Sequence, residues 1–290
     1  MEQLQTIQWF PGHMAKTKRQ IEKSLPFVDA VAEIIDARIP VSSRNPDLSS
    51  IISNKPRIVL LNKCDMADPT CTKAWLARFA KEGTTALSVD CRSGNGLRDF
   101  LPAVEKMLCD VRERRIAKGM VGGTLRVMTV GIPNVGKSSF INRMASGNKK
   151  AKVADKPGVT RGNQWFSIGK NVELLDTPGV LWPKFDDQRV GEVLAFTGAV
   201  KDEVMDLELL AMQLLGVLVL RCPALLQERY RLDEHTLLLP PYELLEQISR
   251  RRGMLLPGGV CDTQRCAAMI LDEFRGAKIG RITLETVEEF

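Results

Sequence analysis

The sequence predicts an α/β protein, a doubly wound and mostly parallel sheet in its first part, followed by a C-terminal all-helical domain. Three observations carry this. Short apolar runs without strict alternation, the pattern of strands buried on both faces, recur through the first 180 residues. Each run ends abruptly in polar or turn-forming residues, and helix-like segments lie between several of them. From about Arg189 the pattern becomes one of periodic apolar segments separated by Pro and Gly.

Taken in order, the first strand is expected over Val31–Ile35, closed by Asp36-Ala37-Arg38, and the second over Ile58–Leu61, closed by Asn62-Lys63-Cys64-Asp65. A helix over Thr72–Lys81 leads to a short run, Ala86–Val89, that ends in Asp90-Cys91-Arg92-Ser93-Gly94. One helix is expected over Leu97–Lys118. Leu125–Val130 then runs into Gly131-Ile132-Pro133-Asn134, and Val172–Leu175 into Asp176-Thr177-Pro178-Gly179. In open parallel sheets the loops at the carboxyl ends of strands build the ligand site, and here those loops hold the distinctive residues. Helices are expected over Val204–Leu220, Tyr242–Ile248 and Cys266–Phe274. The expected domains are residues 1–183 and 189–290.

An apolar fraction of 44% and a charged fraction of 26% over 290 residues exclude wholesale disorder. The longest apolar stretch, Leu209 to Leu220, is too short to span a membrane. Met1-Glu2-Gln3-Leu4-Gln5 lacks the pattern of a secretory signal, and neither Glu2 nor the C-terminus suits lipidation. Seven cysteines without a C-x-x-C pair, and only two histidines, argue against structural zinc and for reduced thiols in a cytoplasm. Residues 1–180 carry 28 Lys and Arg against 17 Asp and Glu, whereas the remainder carries 13 against 18. A basic first domain is suited to a polyanionic partner.

Gly131-Ile132-Pro133-Asn134-Val135-Gly136-Lys137-Ser138 fits G-x-x-x-x-G-K-[ST] directly after an apolar strand. The glycines let backbone N–H groups from Asn134 to Ser139 curl around phosphate oxygens, Lys137 supplies a point charge to the β- and γ-phosphates, and the Ser138 hydroxyl can ligate Mg²⁺. By chance such a match arises in roughly one chain in a hundred. Downstream, Asp176 can hold Mg²⁺ through its water shell, and the Gly179 N–H can bond a γ-phosphate oxygen. Between them, Thr160 is the candidate for a loop hydroxyl that reaches Mg²⁺ when a γ-phosphate is present.

Asn62-Lys63-Cys64-Asp65 fits N-K-x-D. Guanine presents N1–H and N2–H₂, two donors that one carboxylate accepts together, whereas adenine would leave Asp65 unpaired; mismatches of this kind discriminate by about 10⁴–10⁵. The Lys63 stem can cover the base, Asn62 can brace the phosphate loop, and a backbone N–H at Asp90-Cys91 can contact guanine O6.

The base motif precedes the phosphate loop, the reverse of the usual order in GTPases. With Trp9-Phe10-Pro11-Gly12-His13-Met14, Asp36-Ala37-Arg38-Ile39-Pro40, Ser43-Arg44-Asn45-Pro46 and Phe274-Arg275 through Gly280-Arg281-Ile282, the chain resembles the circularly permuted GTPases, and among them the bacterial ribosome biogenesis group. The resemblance covers nearly the whole chain. Permutation needs one new linker, for which Arg112–Gly123 is basic and Gly-rich enough. It also makes the Asp176–Gly179 loop lead straight into the helical domain, so nucleotide state is expected to act on that domain.

Many GTPases place a water-orienting glutamine after D-x-x-G. Here Val180 and Leu181 follow, and neither can bond a water, so unassisted hydrolysis is expected to be slow. The resemblance implies His13 as the water-orienting residue and Asn134 as a holder of K⁺ beside the phosphates. Lys16, Lys18, Arg19 and Lys23, then Lys149, Lys150, Lys152, Lys156 and Arg161, and Arg250-Arg251-Arg252 form basic runs. With the resemblance they point to ribosomal RNA, bound through phosphates and shape because aromatics are only 6%. The function implied is GTP hydrolysis coupled to a late step in assembly of the large (50S) ribosomal subunit, by a cytoplasmic monomer. Two alternatives stay open: a nucleotide-gated RNA-binding scaffold with incidental hydrolysis, and a GTPase acting on tRNA or the small subunit.

Overall fold

A computed structural model describes residues 12–52, 54–119, 123–146, 164–182 and 187–290. The chain divides into two compact units: Met1–Asp65 with Pro69–Asp186 and Glu285–Phe290, and Met66–Asp68 with Asp187–Leu284. Two short segments thus separate this division from a single cut between 183 and 189.

The first unit contains, in order, α1 (Gly12–Ser24), β1 (Ala30–Asp36), α2 (Pro46–Ile51), β2 (Arg57–Asn62), α3 (Pro69–Lys81) and β3 (Thr85–Ser88). It continues with α4 (Phe100–Met107), α5 (Cys109–Ala117), β4 (Leu125–Val130), α6 (Lys137–Ser146), β5 (Trp165–Ile168) and β6 (Val172–Leu175). Among the described residues six strands form one sheet in the order β3-β2-β1-β4-β6-β5, parallel except for the β5–β6 pair. β1 is buried along its whole length, as a run without alternation requires.

β4 lies between β1 and β6, so the strand that feeds the phosphate loop sits where the sheet's winding reverses. The group β4 to β6, with the phosphate loop, and the group β1 to β3, with the base motif, form the two halves of the sheet, and the base-motif half comes first in the chain, β3 being joined forward to β4 through α4 and α5. That is a circular permutation, and the sheet tolerates it because its ladders require adjacency in space and not a particular linkage.

Two expectations change in detail. The helix expected over Leu97–Lys118 is a 3-10 turn and two helices, broken at Leu108. Leu108 leaves helical geometry with φ −112° and ψ 20° while its side chain stays in the core, whereas α5 beyond it buries no residue. β5, which was not among the expected strands, is buried only at its two ends; it folds back on β6 across Gly169-Lys170-Asn171, where Gly169 takes φ +59°.

The second unit is helical: α7 (Gln188–Phe196), α8 (Leu207–Arg221), α9 (Pro223–Tyr230), α10 (Glu234–Leu237), α11 (Pro241–Arg251) and α12 (Thr263–Arg275). α8 is its centre, burying Leu210, Leu214, Leu215 and Leu218 and packing against α7, α9, α11 and α12. Among the described residues no single helix is long and apolar enough to cross a membrane. Arg275 closes α7 by donating to Ala195 O at 2.9 Å and Phe196 O at 3.1 Å, and pairs with Asp202. Arg281 and Ile282 hold the 66–68 segment through Ala67 O and Met66 O.

Candidate functional site

The phosphate loop is shaped by close approach. Gly131 has φ +155°, and a Cβ there would lie 2.5 Å from Ile34 O. Gly136 has φ +105°, and its Cβ would lie 2.2 Å from Nδ2 of Asn62. Both positions therefore require glycine. Lys137 opens α6, whose first-turn N–H groups lack intrahelical partners and suit an anion.

Lys137 is buried and donates to Gly131 O at 3.1 Å and Ile132 O at 2.6 Å. Burial pushes its ammonium down to about 8, against the charge of Asp176. Asp176, half-buried, is itself raised by burial, with Lys137 opposing. The loop after β6 is held close to the phosphate loop. Thr177 Oγ1 donates to Thr129 O at 2.5 Å, Val180 N donates to Gly131 O at 3.2 Å, and a Cβ on Gly179 would lie 2.7 Å from Pro133 N. A cavity of about 590 Å³ lies among Pro133, Asn134, Gly136–Ser139, Gln164 and Asp176–Gly179. Gln164 escaped the sequence reading. It directly precedes β5 and follows no recognisable motif, and only the sheet brings it here.

The donor set facing this cavity suits Mg²⁺, which binds proteins through one or two oxygens and otherwise keeps water and substrate phosphate. The Ser138 hydroxyl and the Asp176 carboxylate both line it. Asn134, with φ +57°, lines it as well.

The base motif joins this cradle through one side chain. Asn62 ends β2; its Nδ2 donates to Val135 O at 2.7 Å, and its Oδ1 accepts from Cys91 N at 2.9 Å. Residues 62, 91 and 135 are brought together at the carboxyl ends of β2, β3 and β4. Lys63 has φ +61° and pairs with Asp36 at 3.0 Å. Cys64 is buried, its N–H bonded to Val89 O, and Asp65 is exposed. Burial works to raise the Asp90 carboxyl, but hydrogen bonds from Ser93 and Arg92 outweigh it and hold it below the usual range. Burial pushes the Cys91 thiol up to about 12, so its contribution here is its N–H. The cavity lining ends at the phosphate loop and does not extend to Lys63, Asp65 or Asp90.

Val180 is buried in a cluster with Ile21, Val28, Leu48, Met128, Val130 and Trp165. The position after D-x-x-G is thus a core position. Asn45 supports it, donating from Nδ2 to Val180 O at 3.0 Å while its Oδ1 caps α2. The His13 side chain and Thr160 lie outside the described residues, as do Lys149, Lys150, Lys152, Lys156 and Arg161.

Residues 126–232 match the family described as "50S ribosome-binding GTPase". Ribosome biogenesis GTPase A of Bacillus cereus is 46% identical over 98% of this chain and 95% of its own length. The Priestia megaterium protein of that name is 47% identical over 98% of each. Among solved structures, GDP-bound YlqF gives a TM-score of 0.67 at 29% identity, covering 93% of this chain and all of the other. YlqF of Thermotoga maritima bound to GNP gives 0.62 at 28%, covering 93% of this chain and 98% of the other. With relatives 46% and 47% identical along nearly the whole length, and a sheet in which β1 to β3 precede the strand that feeds the phosphate loop, the chain is a GTPase with a circularly permuted G domain and belongs to the ribosome biogenesis GTPase A family.

Proposed function

We propose that this GTPase acts in ribosome biogenesis, at a late step in assembly of the large (50S) subunit, docking on the immature particle with GTP and leaving on hydrolysis. The observation that carries the site assignment is the double hydrogen bond of Asn62, which couples N-K-C-D to Val135 of the phosphate loop 73 residues later. In this reading Asp65 accepts N1–H and N2–H₂ of guanine, the Cys91 region faces O6, and Lys137 moves from its carbonyl partners onto the β- and γ-phosphates. Mg²⁺ would be held by Ser138, by Asp176 through water, and by Thr160, and would offset the charge that develops on the phosphates. The Gly179 N–H senses the γ-phosphate. Asn134 would hold K⁺, and His13 would orient the attacking water.

Because residue 180 is valine and buried, the chain's own switch loop brings no amide to that water. Turnover therefore depends on a group from outside that loop and is stimulated by the particle. Lys16, Lys18, Arg19 and Lys23 on α1, with Arg250-Arg251-Arg252 at the end of α11, would meet ribosomal RNA phosphates. The protein would work as a cytoplasmic monomer. Depleting it and profiling ribosomal particles tests the proposal: an incomplete large subunit supports it, and a defect confined to the small subunit or to tRNA overturns it. Hydrolysis unchanged by purified immature subunits would favour the scaffold reading instead.

A further inference from the structure

Asp36 closes β1 and faces two cations. Its carboxylate takes the Arg38 guanidinium side-on, Oδ1 accepting from Nε at 2.9 Å and Oδ2 from Nη2 at 2.7 Å, and Oδ1 also accepts the Arg38 N–H at 3.0 Å. The same Oδ2 lies 3.0 Å from Nζ of Lys63. Asp36 and Arg38 are 2% and 1% exposed, and Arg38 is the bulkiest of the fully buried side chains among the described residues. The pair sits at the edge of the base motif. Asp36 is in register with Asn62, and Ala37 N donates to Asn62 O at 2.8 Å, which extends the β1–β2 ladder to the first residue of N-K-C-D.

Desolvation makes a buried ion pair a weak source of stability, and apolar residues of similar volume often serve as well. What such a pair does supply is fixed geometry, and two of its neighbours need it. Lys63 holds a left-handed backbone that a non-glycine residue rarely adopts, and its ammonium is tied to Asp36. Lys63 is followed two residues later by Asp65, so the backbone that Lys63 adopts also places that carboxylate. Asp36 thus stands between the buried Arg38 guanidinium and the Lys63 ammonium, one carboxylate held by two cations.

We infer that the buried Asp36–Arg38 pair is the positioning element of the guanine site: Arg38 fixes the Asp36 carboxylate, and Asp36 holds the Lys63 ammonium so that its alkyl stem lies across the purine. Neither residue touches the nucleotide. This rests on the reading of Asn62–Asp65 as the base motif.

The test is a double-mutant cycle on GDP binding, with inosine diphosphate, which lacks the N2 amine, as a second probe. Asp36→Asn should weaken GDP by about ten- to hundredfold, and the loss should largely vanish in a Lys63→Met background. It should weaken GDP and inosine diphosphate alike, because both stack equally. Arg38→Met should reproduce part of the Asp36→Asn loss with Lys63 present and little of it in the Lys63→Met background, and Arg38→Lys, which keeps the charge, should restore part of the affinity. A purely structural pair would give the same loss in both Lys63 backgrounds, and that overturns the inference. Thermal unfolding of each variant confirms folding, and the cycle at Asp36 and Lys63 stands if Arg38→Met does not fold. Asp65→Asn separates the underlying reading: it should trade preference for GDP for preference for xanthosine diphosphate. Retained guanine preference refutes the base motif itself, whereas a switch there with additive Asp36 and Lys63 effects refutes only the positioning role.

Discussion

Replacing Asn62 by alanine should uncouple the two halves of the nucleotide site. The side chain is buried, and its loss strands Val135 O and Cys91 N, bonded at 2.7 and 2.9 Å and themselves on buried residues. An unsatisfied buried group costs about 1–3 kcal/mol, so the two together cost about 2–6. Not all of this falls on folding. Without nucleotide, loop 131–136 can shift and admit water to Val135 O, whereas the bound state needs both loops closed. If half of the cost falls on binding, GDP affinity drops about five- to 150-fold at 1.4 kcal/mol per decade. Titration calorimetry with GDP measures that share, and urea unfolding of the nucleotide-free variant measures the rest. Asparagine at 62 merely stabilises the sheet edge, and the argument for coupling fails, if the variant is destabilised yet binds GDP within twofold of the parent.

Other outcomes follow from the same geometry. Lys137 titrates near 8 instead of 10.5 because it is buried. Its charged form is therefore penalised below that value, and the stability of the nucleotide-free protein should rise as pH goes from about 8 toward 10.5. Phosphates restore the charge, so GDP binding at about pH 9 should take up close to one proton, read from calorimetry in buffers of different ionisation enthalpy. Lys137→Met should abolish the uptake. Val180→Gln would place an amide in the cluster of Ile21, Val28 and Trp165. It should cost about 1–3 kcal/mol in urea unfolding without accelerating hydrolysis, and a faster variant would show that the position can face water. Glu285 is buried and accepts Val41 N at 2.6 Å, Ser42 N at 3.1 Å and the Ser42 hydroxyl. Glu285→Ala should therefore lower stability by about 2–5 kcal/mol, and a change under 0.5 would mean that water replaces the carboxylate readily.

Where the sequence was informative, it was so because the physics is local. Val31–Ile35 and Leu125–Val130 read as buried strands since a central parallel strand must be apolar on both faces. Gly131 and Gly136 read as a phosphate loop since only glycine tolerates the backbone and the close neighbours found there. The unread parts depend on residues that meet only after folding. Asn45 reaches Val180 across 135 positions, and Glu285 reaches Ser42 across 243. Gln164 gives no signal at all until β5 pairs with β6. Arg275 and Arg281, quoted as part of a resemblance, prove to be ties within the helical unit, closing α7 and holding the 66–68 segment.

The loop after β6 shows why a valine at 180 is more than the loss of a glutamine. At its start, Thr177 is buried and bonded to Thr129 O; at its end, Val180 is buried, bonded to Gly131 O through its N–H and to Asn45 through its carbonyl. Both ends are thus fixed to the sheet and to α2, and only Pro178 and Gly179 between them remain outside the core. A γ-phosphate that engages the Gly179 N–H would act on a span held at both sides, so its pull must pass through Val180 into Leu48 and Ile21, on α2 and α1, instead of being absorbed by a slack loop. Glutamine at 180 would bury an amide among Ile21, Val28 and Trp165 and would release that anchor. The chain keeps the anchor, and that accounts for the apolar residue where many GTPases carry an amide.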